Sequence, residues 1–86
     1  MQLNNANKNL TELQSSAVEA YREQLAENFR NIEILDAFVT DGIVEVRLNY
    51  EAVRDYQTLS RTTQLAIEVE EQFGVTLLPY IVPHER

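Results

Sequence analysis

Residues 31–50 read NIEILDAFVTDGIVEVRLNY, and the pattern within this stretch decides the fold. Its second half alternates strictly between apolar and polar residues, which is typical of a strand with one buried face. The apolar positions are Val44, Val46, Leu48 and Tyr50, and the polar positions between them are Glu45, Arg47 and Asn49. Ahead of them, Ile32 and Ile34 alternate with Glu33. The Asp41-Gly42 pair between the two runs accepts the positive φ angles of a type I′ turn, so the stretch predicts a β-hairpin.

The first strand of this hairpin is less regular than the second. Asp36 falls in step with the apolar residues Ile34 and Phe38. Either a bulge shifts the register at this point, or a carboxylate faces the interior. Both interpretations keep the hairpin and differ only in where the Asp36 side chain lies.

Helical periodicity flanks the hairpin on both sides. On the N-terminal side, apolar residues recur every four positions and indicate one wide stripe on a helix. They are Leu13, Ala17, Tyr21, Leu25 and Phe29. Asn9 and Thr11 are candidate caps of this helix, and Thr11 with Gln14 fits a capping box. On the C-terminal side we expect a helical segment over about residues 52–73, ended by Gly74. We expect a break or an irregular turn near residues 55–60, because Thr58, Ser60, Thr62 and Thr63 are weak helix formers.

These segments and the apolar run VTLLPYIV at residues 75–82 give the order α-β-β-α-β. The connection from the second strand through a helix to the third should be right-handed, which places both helices on one side of the sheet. The sequence therefore predicts a single small α+β domain over residues 9–86, with a three-stranded sheet and two helices packed on one face. Residues 1–8 are polar, and we expect them to form a flexible tail.

The last strand is apolar on both sides, which distinguishes it from the hairpin strands. One side consists of Leu77, Pro79 and Ile81, and the other of Leu78 and Tyr80. Because Pro79 cannot donate to a ladder, we expect an edge strand or a bulge here. An edge strand that is apolar on both faces is usually covered by another segment of the chain or by a second molecule. Either the chain's own tail or first helix covers it, or these five residues form a candidate interface with a second copy or another protein.

The formal net charge of −7 makes some classes of binding partner less favourable than others. It weighs against a wide nucleic-acid surface, which rests on neutralised phosphates, and against anionic membranes. No apolar run approaches the roughly 18 residues that span a bilayer, and the polar N-terminus has no hydrophobic signal core, so we expect a cytoplasmic protein. Four glutamates of the first helix form a candidate acidic docking ridge for a basic partner: Glu12, Glu19, Glu23 and Glu27. A solvent-exposed helix face, on which Arg22 and Arg30 reduce the repulsion between the glutamates, explains the same pattern.

A search for catalytic and ligand-binding patterns finds none. The chain has no cysteine, which excludes disulfides and thiolate metal sites. Its one histidine, His84, lies near the C-terminus without a second histidine to complete a metal site. The only glycines, Gly42 and Gly74, form no phosphate-binding loop. We therefore expect no enzyme activity, no catalytic residues, no metal and no cofactor.

The order α-β-β-α-β over about residues 12–82 resembles small KH-related domains, including the BolA family and ribosome-binding factor A. The helix after the hairpin reads Arg61-Thr62-Thr63 where BolA proteins carry Arg-His-Arg, and the Gly-x-x-Gly loop of RNA-binding KH domains has no counterpart. The resemblance implies an RNA-related role. Arg47, Arg54 and Arg61 form the one locally basic zone and are candidate contacts for an anion or RNA. The alternative interpretation is that these three arginines form ion pairs with neighbouring carboxylates.

Two functional hypotheses follow from the sequence. The first is a small acidic, non-enzymatic protein-interaction module that self-associates as a homodimer, or docks on a protein partner, through its C-terminal strand. The alternative is a KH-like factor that contacts RNA or the ribosome through the three arginines. The two differ in their dependence on salt, because phosphate contacts weaken steeply as salt rises.

Overall fold

The computed structural model of the chain describes residues 7–8, 10–49 and 56–82, which form two helices and a mixed sheet. In chain order the elements are β1 (Asn7–Lys8), α1 (Glu12–Asn28), β2 (Ile34–Thr40), β3 (Ile43–Asn49), α2 (Tyr56–Phe73) and β4 (Leu77–Val82). The strands lie side by side in the order β1-β2-β3-β4, with β2 and β3 antiparallel and the two outer pairs parallel. The predicted order α-β-β-α-β is confirmed. The two-residue β1 is an addition within the segment predicted to be a tail, whose residues 1–6 lie outside the described part.

Two positive φ angles close the hairpin between β2 and β3. Asp41 has a φ of 54° and Gly42 a φ of 78°, and Thr40 lies opposite Ile43 across the turn. Positive φ at both central residues of a two-residue loop is the type I′ geometry, whose twist matches that of the flanking strands. The predicted turn is therefore confirmed.

A register shift in β2 decides between the two interpretations of Asp36. Ile34 lies opposite Leu48 and Asp36 lies opposite Arg47, so the strand accommodates an extra residue, Leu35, between them. This is a β-bulge, and it turns the Asp36 side chain to the sheet face that carries Arg47. The expected bulge is confirmed, and the inward-facing alternative is wrong.

The core lies between the two helices and one face of the sheet. Its buried side chains are Ala17, Val18, Tyr21 and Leu25 from α1, Thr62, Leu65, Ala66 and Val69 from α2, Ala37, Val44, Val46, Leu48 and Leu77 from the strands, and Ile32 and Val75 from the loops. Every second residue of β3 belongs to this set, as expected for a strand with one buried face. Both helices therefore pack on the same face of the sheet, as predicted.

One buried hydrogen bond joins the two helices inside this core. The Tyr21 hydroxyl donates to the carbonyl oxygen of Thr62 over 2.9 Å, and the Thr62 hydroxyl donates to the carbonyl oxygen of Leu59 over 2.7 Å. The Tyr21 and Thr62 side chains are fully buried. Burial raises the pKa of Tyr21, so the phenol stays protonated and donates.

The start of α1 and the end of α2 agree with their sequence signals, whereas the predicted break does not. Thr11 caps α1 through a capping box, since its hydroxyl accepts from the Gln14 N–H and the Gln14 side chain accepts from the Thr11 N–H. Gly74 ends α2 with a φ of 68°. The break is wrong for residues 56–60, which are helical, and residues 50–55 lie outside the described part. No helix in the described ranges is both long enough and apolar enough to cross a membrane.

Candidate interaction surface

The two sides of β4 meet different surroundings. Leu77 is buried in the core, with 4% of its surface exposed, whereas Leu78 is 49% exposed. Pro79 and Tyr80 are half-buried, and the Ile81 side chain lies outside the described part. Because side chains alternate along a strand, Leu77 and Pro79 face the helices, and Leu78 and Tyr80 face away from them. Of the described candidate interface residues, these last two are therefore available to a second molecule.

β4 is the outer strand of the sheet, which agrees with the expectation of an edge strand. It runs parallel to β3, and the Val44 N–H donates to the Thr76 carbonyl oxygen over 2.9 Å. In a parallel ladder, alternate residues bond to the neighbouring strand. Because the Thr76 carbonyl oxygen bonds to β3, the backbone groups of Leu78 also bond to β3. The backbone groups of Leu77 and Pro79 point away from β3, toward the free edge of the sheet.

The outward edge of β4 offers few free donors. Pro79 has no N–H. The Leu77 N–H already donates to Glu70 Oε2 over 3.0 Å. A strand that extends a sheet needs both donors and acceptors along the edge, so residues 77–80 are poorly suited to strand addition. The sheet face is then the better surface for a partner.

The face of the sheet opposite the helices is called here the open face. It carries two rows of side chains that run across β2, β3 and β4. The first row consists of Phe38, Glu45 and Leu78, and the second of Asp36, Arg47 and Tyr80. Neither helix covers these rows. Leu78 is the most exposed apolar side chain in them, while Phe38 and Tyr80 are half-buried.

An ion pair occupies the second row. Arg47 Nε donates to Asp36 Oδ1 over 2.6 Å, and Arg47 Nη2 donates to Asp36 Oδ2, so the contact is bidentate. The hydrogen bonds from Arg47 lower the pKa of Asp36, and the same bonds raise the pKa of Arg47. The Asp36 and Arg47 side chains are 28% and 37% exposed, so solvent screens their attraction. The pair therefore fixes the orientation of two charged side chains more than it stabilises the fold.

Glu45 lies among apolar side chains in the first row. Phe38 and Leu78 flank it across the strands, and Ile43 precedes it by two residues on the same face. The pKa of Tyr80 is raised first by burial and then by the charge of the neighbouring Glu45 carboxylate. Among the described side chains, no lysine or arginine forms an ion pair with Glu45. In the part of the chain that the structure describes, the Glu45 carboxylate therefore has no cation paired with it and is framed by three apolar side chains.

The candidate acidic docking ridge lies on α1, where all four of its glutamates are exposed. Three of them border a shallow groove of about 420 Å³, whose lining is Glu12, Ser15, Ser16, Glu19, Ala20, Glu23 and Phe73. Glu27 is not part of that lining, and Glu19 pairs with Arg22 over 3.4 Å. The first three members of the ridge therefore border one groove, and the use of the ridge for docking stays a prediction.

The candidate arginines lie on different surfaces. Arg47 is on the open face and bonds to Asp36. Arg61 is on α2, on the other side of the sheet, where its Nη2 donates to Asn28 Oδ1 over 3.3 Å. Arg54 lies outside the described residues. The structure therefore does not bring Arg47 and Arg61 together, and RNA binding stays a prediction.

Asn49 fixes the loop that enters β2, a role for which the sequence gives no signal. Its Oδ1 accepts from the Glu33 N–H over 2.7 Å, and its Nδ2 donates to the Asn31 carbonyl oxygen over 2.8 Å. Arg30 joins these three residues around a polar depression of about 470 Å³. Because both polar atoms of the Asn49 amide are bonded to the loop, its role here is structural.

Phe38 and Glu45 belong to the open face, yet the interface predicted from the sequence omits them. The Asp41-Gly42 turn fixes the hairpin register, and counting back from it places Phe38 opposite Glu45. That part of the signal is therefore present in the sequence. The contact of Glu45 with Leu78 depends on the register of β4, which no turn signal specifies.

Metal binding and known relatives give no further indication of function. No group of three or more histidine, aspartate or glutamate side chains in the described ranges is placed to hold a metal ion, and His84 lies outside those ranges. Comparisons with protein-family models, with curated proteins and with solved structures found no match. The geometry of the open face is therefore the basis for a functional proposal.

Proposed function

We propose that this protein is a non-enzymatic interaction module whose protein partner docks on the open face of the sheet, beside β4. The observation that carries the proposal is Leu78, an aliphatic side chain that is 49% exposed on a face that neither helix covers. Full burial of such a side chain is worth roughly 1.5–3 kcal/mol, and the exposed half of that gain is available to a partner. Phe38 and Tyr80, half-buried beside it, extend the apolar contact.

The composition of the open face supports a protein partner. Aromatic residues and arginine are enriched at protein interfaces, and Phe38, Tyr80 and Arg47 lie together on this face. The bidentate contact with Asp36 holds Arg47 in one orientation. A surface that is ordered before binding loses less conformational entropy when the partner arrives.

The occupant is either a second copy of the chain or another protein, and light scattering across a concentration series separates the two. The informative variant is Leu78→Glu on the open face. Ile67→Glu is the matched control, because Ile67 is 40% exposed on α2. A wild-type dimer that becomes a folded monomer with Leu78→Glu, and stays a dimer with Ile67→Glu, would identify a copy as the occupant.

A wild type that stays monomeric at high micromolar concentration would exclude self-association and leave another protein as the remaining occupant. Association that Ile67→Glu abolishes and Leu78→Glu leaves intact would overturn the proposal, because the contact would then involve the helices. Circular dichroism of each variant establishes that the fold is kept.

The RNA- or ribosome-associated alternative is tested separately by RNA binding across a salt titration. Binding that weakens steeply with salt and with Arg54→Glu would favour it. Absence of binding at low salt would remove it. The position of Arg47 and Arg61 on opposite sides of the sheet offers no shared surface for one phosphate backbone, so the interaction module is the better supported proposal.

A further inference from the structure

We infer that the partner of the open face presents a lysine or arginine flanked by apolar side chains, and that this cation pairs with Glu45. The inference rests on the proposed docking at the open face and adds the chemistry of the partner. Its basis is one row of the sheet, in which Glu45 lies between Phe38 and Leu78.

Docking on this row favours a partner that brings a cation. A partner that covers Phe38 and Leu78 also removes water from Glu45, which lies between them. A carboxylate that loses its water without gaining a cation is costly. A carboxylate offers roughly four lone-pair sites, which leaves room for a charged donor from the partner.

The described residues of this chain do not provide that cation. Arg47 lies two residues along β3 on the same face, but its Nε and Nη2 donate to Asp36. The Asp36–Arg47 pair is neutral as a unit, so Glu45 gives the two rows a net negative charge. Lys8 has its backbone beside Phe38 in β1, two strands away from Glu45, which is about 10 Å, and its side chain lies outside the described part.

The same charge distinguishes a basic partner from a second copy. A two-fold contact brings the same patch of both chains together, so one interface would bury two Glu45 carboxylates, while the Arg47 of each chain already pairs with its own Asp36. Each chain also carries a net charge of −7. Juxtaposed like charges oppose association, whereas a partner with a basic residue has the complementary charge.

The edge of β4 indicates how the partner lies. Pro79 has no N–H, and the Leu77 N–H is bonded to Glu70, so the edge is poorly suited to an added strand. The partner therefore lies across the open face and is recognised by its side chains. An apolar residue contacts Phe38 and Leu78, and the neighbouring cation meets Glu45.

A phage-displayed library of short random peptides tests this inference. The library is selected on the immobilised full chain and counter-selected on Leu78→Glu, so that peptides bound elsewhere are removed. We expect the enriched peptides to carry lysine or arginine next to an aromatic or aliphatic residue. An enriched peptide is then synthesised and titrated by fluorescence anisotropy against the wild type, Glu45→Gln and Glu68→Gln. Glu68 is the matched control, because it is an exposed glutamate of α2.

The expected result is that Glu45→Gln weakens peptide binding about tenfold and reduces its salt dependence, while Glu68→Gln changes neither. Peptides that need Leu78 but carry no basic residue, or whose affinity Glu45→Gln leaves unchanged, would overturn the inference and leave docking at the open face standing. A wild-type dimer formed through Leu78 would also overturn the inference and leave docking at the open face standing. A library that enriches nothing, or only peptides that bind Leu78→Glu equally well, would contradict both the pairing with Glu45 and the docking at the open face.

Discussion

At the residue scale, Tyr21 joins the two helices by more than apolar packing. Its hydroxyl donates to the Thr62 carbonyl oxygen, and both side chains are fully buried. Tyr21→Phe keeps the ring and removes the bond, so we expect the free energy of unfolding to fall by about 1 kcal/mol. Urea denaturation measures this. Tyr56→Phe is the matched control, because Tyr56 is 80% exposed, and its effect should stay within about 0.5 kcal/mol. Equal stability of Tyr21→Phe and wild type would mean that the bond makes no net contribution.

Gly42 is the residue on which the hairpin turn most depends. Its φ is 78°, and an added Cβ would meet no atom within 4 Å, so the cost of a side chain is conformational and not steric. Gly42→Val should lower the free energy of unfolding by about 1–2 kcal/mol, because a β-branched residue resists positive φ. Gly42→Asn should lose less, since asparagine tolerates the left-handed region. Urea midpoints that coincide for the two variants would contradict a type I′ turn in solution.

At the scale of elements, the sequence predicts the hairpin better than the start of α2. The strict alternation in β3 gives a strong contrast between buried and exposed positions, and the structure follows it. In α2, weak helix formers such as Thr58 and Ser60 favour a break, yet residues 56–60 are helical. Thr62 is buried against α1 and its hydroxyl bonds to the Leu59 carbonyl oxygen, so packing against the other helix outweighs propensity.

The orientation of β4 cannot be read from the sequence, because both of its sides are apolar, and it gives an element-scale prediction. Leu77 is buried and Leu78 is half-exposed. Leu77→Ala should lower the free energy of unfolding by about 2–4 kcal/mol, through lost burial and a cavity. Leu78→Ala should cost less than about 1 kcal/mol. The two variants remove the same atoms at adjacent positions, so urea denaturation compares them directly. Equal losses would contradict the assignment of the two faces.

At the scale of the whole molecule, the candidate site depends on contacts between distant segments. Glu45 and Leu78 are neighbours because β4 returns parallel to β3 after α2. The turn sequence sets the register of the hairpin, whereas the packing of α2 sets the register of β4, and no local signal reports it. Arg47 and Arg61 show the same effect. Their regular spacing groups them in the sequence, whereas the fold places them on opposite sides of the sheet.

Acid unfolding is a property of the whole molecule to which Asp36 contributes in a defined direction. The hydrogen bonds from Arg47 hold the pKa of Asp36 below its ordinary value. Above the ordinary value of about 4, Asp36 is ionised in both the folded and the unfolded chain, and the pair stabilises the fold. As the pH falls through the lowered pKa of the folded state, the unfolded chain binds the proton more readily, and that stabilisation is lost.

Asp36→Asn should therefore melt at a lower temperature than the wild type at neutral pH, and the difference should shrink as the pH falls from about 5 to about 2. Asp41→Asn is the matched control, because Asp41 is exposed and asparagine tolerates its φ of 54°. Circular dichroism melts at closely spaced pH values measure both variants against the wild type. The control should keep the acid dependence of the wild type. If Asp36→Asn keeps it as well, proton binding at Asp36 is not coupled to folding, and the contact with Arg47 orders the open face without contributing to its stability.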